Sequence, residues 1–133
     1  MTMIVPMLYM DDLAGAIEFY KKAFGAVERW RIDHEGRVHV AEMSISNMLF
    51  RLHDEVAGKR TIGPTRANVT TVVIDLLVDD PDTMMKSAVA AGAIELSPVQ
   101  DYDYGYRQGS IRDPFGHQWT LEKFVSISHN PLF

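Results

Sequence analysis

Residues 10–28 read MDDLAGAIEFYKKAFGAVE, and residues 78–95 read VDDPDTMMKSAVAAGAIE. The pair Asp11-Asp12 recurs as Asp79-Asp80, and the run Gly25-Ala26-Val27-Glu28 recurs as Gly92-Ala93-Ile94-Glu95. The offset is 68 residues for the acidic pair and 67 for the glycine run, a one-residue deletion inside the intervening helix. Such self-similarity marks two copies of one supersecondary unit, each too small to bury a face alone. In each copy an aspartate stands at the helix N-cap, and Pro81 takes the first turn of the second helix. Leu13, Ile17, Tyr20 and Phe24 recur at helical spacing as one apolar stripe, and Met84, Ala88 and Ala91 do so more weakly. Gly25 and Gly92 follow the last turns, where a left-handed residue ends a helix.

Strand-like runs at residues 4–10 and 70–78 precede the two caps. After the first helix come runs at 27–32, 38–45 and 48–53, with turns at Glu35-Gly36 and Ser46-Asn47. After the second come runs at 94–96, 109–112 and 118–124, with a turn at Asp113-Pro114-Phe115-Gly116. The order is βαβββ, twice. This predicts one α+β domain over residues 1–133: module one about 3–54, a linker at 55–68, module two about 69–125, and a tail at 126–133.

The composition narrows the function. Of 133 residues 47% are apolar and 23% charged, which suits an ordinary globular core. No window approaches the ~18 apolar residues of a membrane span. The start, MTMIVPMLYMDD, lacks the basic region of a signal peptide. With no cysteine there is no disulfide, thiolate nucleophile or Cys-ligated metal, which suits a reducing, cytoplasmic setting. A net charge of −5 with scattered Lys and Arg excludes an electrostatic footprint for nucleic acid or an anionic membrane. No nucleophile constellation, phosphate-cradling loop or dinucleotide fingerprint is present.

The duplicated βαβββ unit, the run DLAGAIEFYKKAFGA and the closing DPFGHQWTLE together resemble the glyoxalase/bleomycin-resistance/dioxygenase group, the vicinal oxygen chelate superfamily. HVAEMSIS and GYRQGSIRDPFGHQW resemble its metal-poor glyoxalase-like branch. The resemblance implies two cupped mixed sheets (the glyoxalase/bleomycin resistance/dihydroxybiphenyl dioxygenase-like fold) around a cleft. In the metal-dependent enzymes of that group, inward-facing His, Gln or Glu hold a divalent ion.

Aligned on those motifs, the group's ligand positions fall on Val5, Arg51, Val73 and Thr120. Two valines offer no donor, and a guanidinium brings permanent positive charge to the ion's place. No metal is therefore expected. A displaced site from His53, Asp75 and Glu122 is the alternative, weakened because the strands do not all run the same way. Strand alternation assigns Val5, Met7 and Tyr9, Leu49, Arg51 and His53, Thr71, Val73, Asp75 and Leu77, and Gln118, Thr120 and Glu122 to the cups.

Arg51 is expected either to pair with Glu122 or to grip a carboxylate or phosphate. Asp75, between Ile74 and Leu76, is expected to be partly desolvated and to serve as base or counter-charge, or as a satisfied polar residue near a dimer seam. Tyr102, Tyr104 and Tyr106 with Arg107 suggest a mobile aromatic lip. His117 should hold the final turn with its back to the cup. His39 and Glu42 alternate onto opposite faces and so should not share a site.

The expected function is small-molecule binding in the cleft without metal, as the resemblance to bleomycin-resistance proteins implies, in a homodimer. The binding set is Met7, Tyr9, Arg51, Asp75, Tyr104, Thr120 and Glu122. A lyase, isomerase or dioxygenase with a displaced metal is one alternative, and a structural module with a vestigial cleft is the other.

Overall fold

The computed structural model describes residues 1–125. The tail at 126–133 lies outside the described residues. The elements run β1 (Met7–Met10), α1 (Leu13–Phe24), β2 (Val27–His34), β3 (Arg37–Ile45), β4 (Met48–Asp54), α2 (Pro64–Ala67), β5 (Val73–Leu77), α3 (Pro81–Ala90), β6 (Ile94–Asp101), β7 (Tyr106–Arg112) and β8 (Gln118–Phe124). Two βαβββ modules thus follow one another, with α2 as a single turn inside the linker.

Both long helices start as their sequences dictate. The Asp12 carboxylate accepts from the Gly15 amide at 3.0 Å, and Asp80 accepts from the Thr83 amide at 3.1 Å. Gly25 closes α1 at φ 68°, a conformation a side chain disfavours. Along α3 the buried residues are Pro81, Met85 and Ala88, so Met85 takes the place expected of Met84, which is only partly buried.

Each module forms a four-stranded sheet, in the orders β1-β4-β3-β2 and β5-β8-β7-β6. The β1/β4 and β5/β8 pairs are parallel, and the other pairs are antiparallel hairpins. β1 and β5 begin three residues later than the apolar runs promised, and Ile4 is 91% exposed. β6 and β7 are longer than expected, absorbing residues 97–101 and 106–108.

Alternation sends Leu8, Met10, Ala41, Met43, Phe50 and Leu52 of the first sheet to the helix side, with Ile111, Trp119 and Leu121 of the second. They join the buried face of α1 in one core that spans both modules. Helices α1 and α3 touch, and Trp119 of β8 lies 4.8 Å from Phe24 and 5.5 Å from Tyr20 of α1, ring centre to ring centre. The modules therefore meet through their helix sides, and the opposite faces of both sheets stay open.

A buried carboxylate ties the two modules. Asp113, 2% exposed, accepts from the Tyr20 hydroxyl at 2.5 Å and the Trp119 indole at 2.9 Å, and from the Phe115 and His117 amides. Burial, then the Asp113 charge, holds the Tyr20 phenol well above its ordinary 10.0. The folded phenol stays protonated where an unfolded one ionises, so its stabilisation is complete below pH 10 and is lost as pH rises beyond. Urea melts between pH 9 and 11 should show this alkaline decline, and Tyr20→Phe should flatten it. An equal slope in both proteins would contradict the assignment.

Candidate functional site: two open sheet faces

The strand registers set the open faces out as rows of side chains. In module one, Met7, Arg51, Glu42 and Trp30 lie abreast across β1, β4, β3 and β2, and Tyr9, His53, Val40 and Ile32 form the next row. In module two, Asp75, Thr120, Ser110 and Ser97 lie abreast across β5, β8, β7 and β6. Leu77, Glu122, Gln108 and Gln100 follow. The alternation read from sequence thus has the right parity in all four strands that were assigned to the cups.

Arg51 does not meet Glu122, which belongs to the other sheet. Its Nε donates to Glu42 at 3.0 Å, and its guanidinium carbon sits 5.6 Å from the Trp30 ring centre. Glu42 is the site residue that sequence reading missed, yet a signal existed. The two-residue turn Ser46-Asn47 pairs Ile45 with Met48, and counting outward puts Glu42 opposite Arg51.

His39 is also displaced from its expected face. The register slips between Ile32/Val40 and Asp33/Val38, leaving His39 as the extra residue of a β-bulge. Its ring lies 4.8 Å from that of His53, which in turn lies 4.8 Å from Tyr9. The His53 Nδ1 is 2.7 Å from the Asp54 carbonyl, an oxygen that can only accept, so Nδ1 carries the hydrogen. His117 behaves as expected. It holds its own turn, and its Nε2 is 2.9 Å from the Tyr9 carbonyl of the other module.

In module two Asp75 is exposed rather than desolvated, because no helix or strand covers its side of β5. Glu122 is the perturbed group: burial, then the neighbouring Asp75 charge, raises its carboxyl above the ordinary 4.5. Among the described residues neither carboxylate has an ion-pair or hydrogen-bond partner. Tyr102 and Tyr104 stack at 5.2 Å, Tyr104 reaches Tyr106 at 6.2 Å, and Tyr106 meets Phe124 at 5.6 Å. The expected lip is therefore a hairpin tip, closed by Tyr102 N–H to the Tyr106 carbonyl at 2.8 Å. Arg107 leaves this cluster and forks onto Asp82 of α3, 2.8 Å from each oxygen.

The chemistry of the donors does not fit a chelated cation. Val5 and Val73 have none, Arg51 is cationic, and Thr120 offers one hydroxyl. The displaced set divides between sheets, with His53 in the first and Asp75 and Glu122 in the second. It is this division that separates them, since β1/β4 and β5/β8 each run parallel. Among the described residues no group of three His, Asp or Glu side chains is spaced to hold a metal.

Paired βαβββ modules with cupped mixed sheets define the vicinal oxygen chelate class of folds. The model of the Glyoxalase/Bleomycin resistance protein/Dioxygenase superfamily matches residues 3–121, and the chain belongs to that superfamily. An uncharacterized protein of Mycobacterium tuberculosis is 39% identical over 120 residues, 87% of this chain and 71% of that protein. The X-ray structure of an Arabidopsis thaliana gene product is 27% identical with a TM-score of 0.72, covering 91% of this chain and 98% of that one. TioX from Micromonospora sp. ML1 shares the fold at 24% identity and a TM-score of 0.75, over 94% of this chain and all of that one.

Proposed function

We propose that the chain binds a small organic molecule on its open sheet faces without a metal, two copies joining so that each face is covered. The observation that carries this reading is the lining itself. In module one Met7, Trp30, Tyr9, Val40 and Ile32 surround Arg51, Glu42 and His53, and in module two a mostly polar face carries Asp75 and Glu122 with no cationic partner among the described residues. Met7, Tyr9 and Arg51 in module one, and Asp75, Tyr104, Thr120 and Glu122 in module two, would make the contacts. A cationic or aromatic ligand suits module two, where Tyr104 supplies a ring near Glu122, whose own neighbour is the Asp75 carboxylate.

A second copy of the chain is the partner we infer. β1 and β5 are sheet edges, and Met3, Ile4 and Met7 beside the first and Val72, Val73 and Leu77 at the second are exposed. Open apolar edges of this kind are normally covered.

The test is a thermal-shift screen of small molecules against purified protein, with metal analysis alongside. Binding to the folded state raises the apparent melting temperature. Asp75→Asn should keep the fold and weaken a cationic ligand by ~1–3 kcal/mol, the scale of a lost charge-assisted hydrogen bond. Such a ligand should also release on acidification earlier than an ordinary glutamate would require, because Glu122 protonates at raised pH. The purified protein should hold no stoichiometric divalent metal, and added Ni, Zn, Mn or Fe should produce no glyoxalase activity. One tight metal per chain bound by His53 or Glu122 would sink the reading.

A further inference from the structure

The module-one row Met7–Arg51–Glu42–Trp30 has a feature that the cationic-ligand chemistry of module two leaves unused. Arg51 is fixed on two sides, by the Glu42 carboxylate at its Nε and by the Trp30 ring 5.6 Å from its guanidinium carbon. Glu42 is only 8% exposed, so this pair is made at the floor of the face. The Arg51 side chain is nonetheless 40% exposed, and among the described residues Nη1 and Nη2 have no partner. A guanidinium held by Nε presents a pre-set fork of N–H donors that matches the two oxygens of a carboxylate. Its rotamer entropy has already been lost to Glu42 and Trp30, which lowers the cost of binding. Trp30 lies against the guanidinium, and on the same open face stand Ile32, two residues along β2 from Trp30 and exposed like it, and half-buried Leu49, two residues along β4 from Arg51.

From this geometry we infer that module one carries an organic-anion seat, in which Arg51 grips the carboxylate of a small acid whose apolar body lies on Trp30 and Ile32. The seat acts through directed donors rather than net field, because Glu42 neutralises the guanidinium charge. A free inorganic anion gains nothing from the apolar floor, so an apolar carboxylic acid is the ligand class. This deepens the reading that the open faces bind small molecules, and it rests on that reading.

The experiment is calorimetric titration of the full chain with three probes: 2-naphthoate, the neutral 2-naphthamide and 2-naphthylmethylammonium. The naphthoate should bind wild type roughly tenfold more tightly than the amide, the scale of one charge-assisted contact. Arg51→Met should abolish that preference. Arg51→Lys, which keeps a cation for Glu42 but loses the fork, should retain only part of it. Because Arg51→Met strands the Glu42 carboxylate, the double variant Arg51→Met/Glu42→Gln guards against misfolding and should show the same loss. Equal affinity for naphthoate and amide in wild type, or a preference that survives Arg51→Met, overturns the seat. If the ammonium probe alone binds, the seat fails while binding on the open faces stands. If none of the three binds, both fail.

Discussion

Replacing Asp113 with alanine should destabilise the folded chain by about 3–5 kcal/mol, the range for stranding several buried polar groups at once. The carboxylate accepts from the Tyr20 hydroxyl, the Trp119 indole and the Phe115 and His117 amides. Alanine leaves all four donors without it, and neither the hydroxyl nor the indole can turn to water. A loss of this size is a large part of a domain's usual ~5–15 kcal/mol. Tyr20→Phe removes one donor and leaves the carboxylate three others, so it should cost less, about 1.5–3 kcal/mol for a hydrogen bond to a charged group. In a double-mutant cycle by urea unfolding, Tyr20→Phe should add little on top of Asp113→Ala. Full additivity of the two losses would show that Tyr20 and Asp113 act separately.

The second large effect concerns assembly. Ile4→Asp should be nearly silent in an isolated chain, because Ile4 is 91% exposed there and surface substitutions stay within about 0.5 kcal/mol. In a dimer whose partner covers the β1 edge, the same change buries a carboxylate with no partner. The dissociation constant should then rise roughly tenfold to a hundredfold, the equivalent of about 1.4–2.8 kcal/mol. Leu77→Asp at the β5 edge should act in the same direction. Light scattering across a dilution series reads both, with urea melts of each variant to confirm the fold. A wild-type chain that scatters as a monomer at micromolar concentration would end the dimer proposal outright.

Much of the fold was legible because its signals are local. A cap is set by an aspartate and the amide three residues on, and the end of α1 by Gly25, which tolerates positive φ. Strand alternation has a fixed period of two, so the faces of β1, β4, β5 and β8 could be assigned one residue at a time. Errors collected where partners are distant. The strand start at Val73 came later than the apolar run because its ladder partner β8 begins only at Gln118, and β1 starts after Pro6, which has no N–H to give the ladder. Arg51 was given the wrong partner for the same reason: a pairing across a cup presumes that the two sheets face each other within one chain.

The sequence by itself determined the duplication, the capped helices, the family and the lack of donors at Val5, Val73 and Arg51, since each depends on residue identity and short spacing. Tertiary structure alone decided three things. It put Tyr20 on Asp113, 93 residues away, because only the packing of α1 against β8 brings them together. It swung His39 toward His53 through a bulge, since one extra residue in β3 breaks the alternation that sequence reading relies on. And it turned the open faces of both sheets outward: the helix sides carry more apolar surface to bury, so they took the single core and left the other faces uncovered.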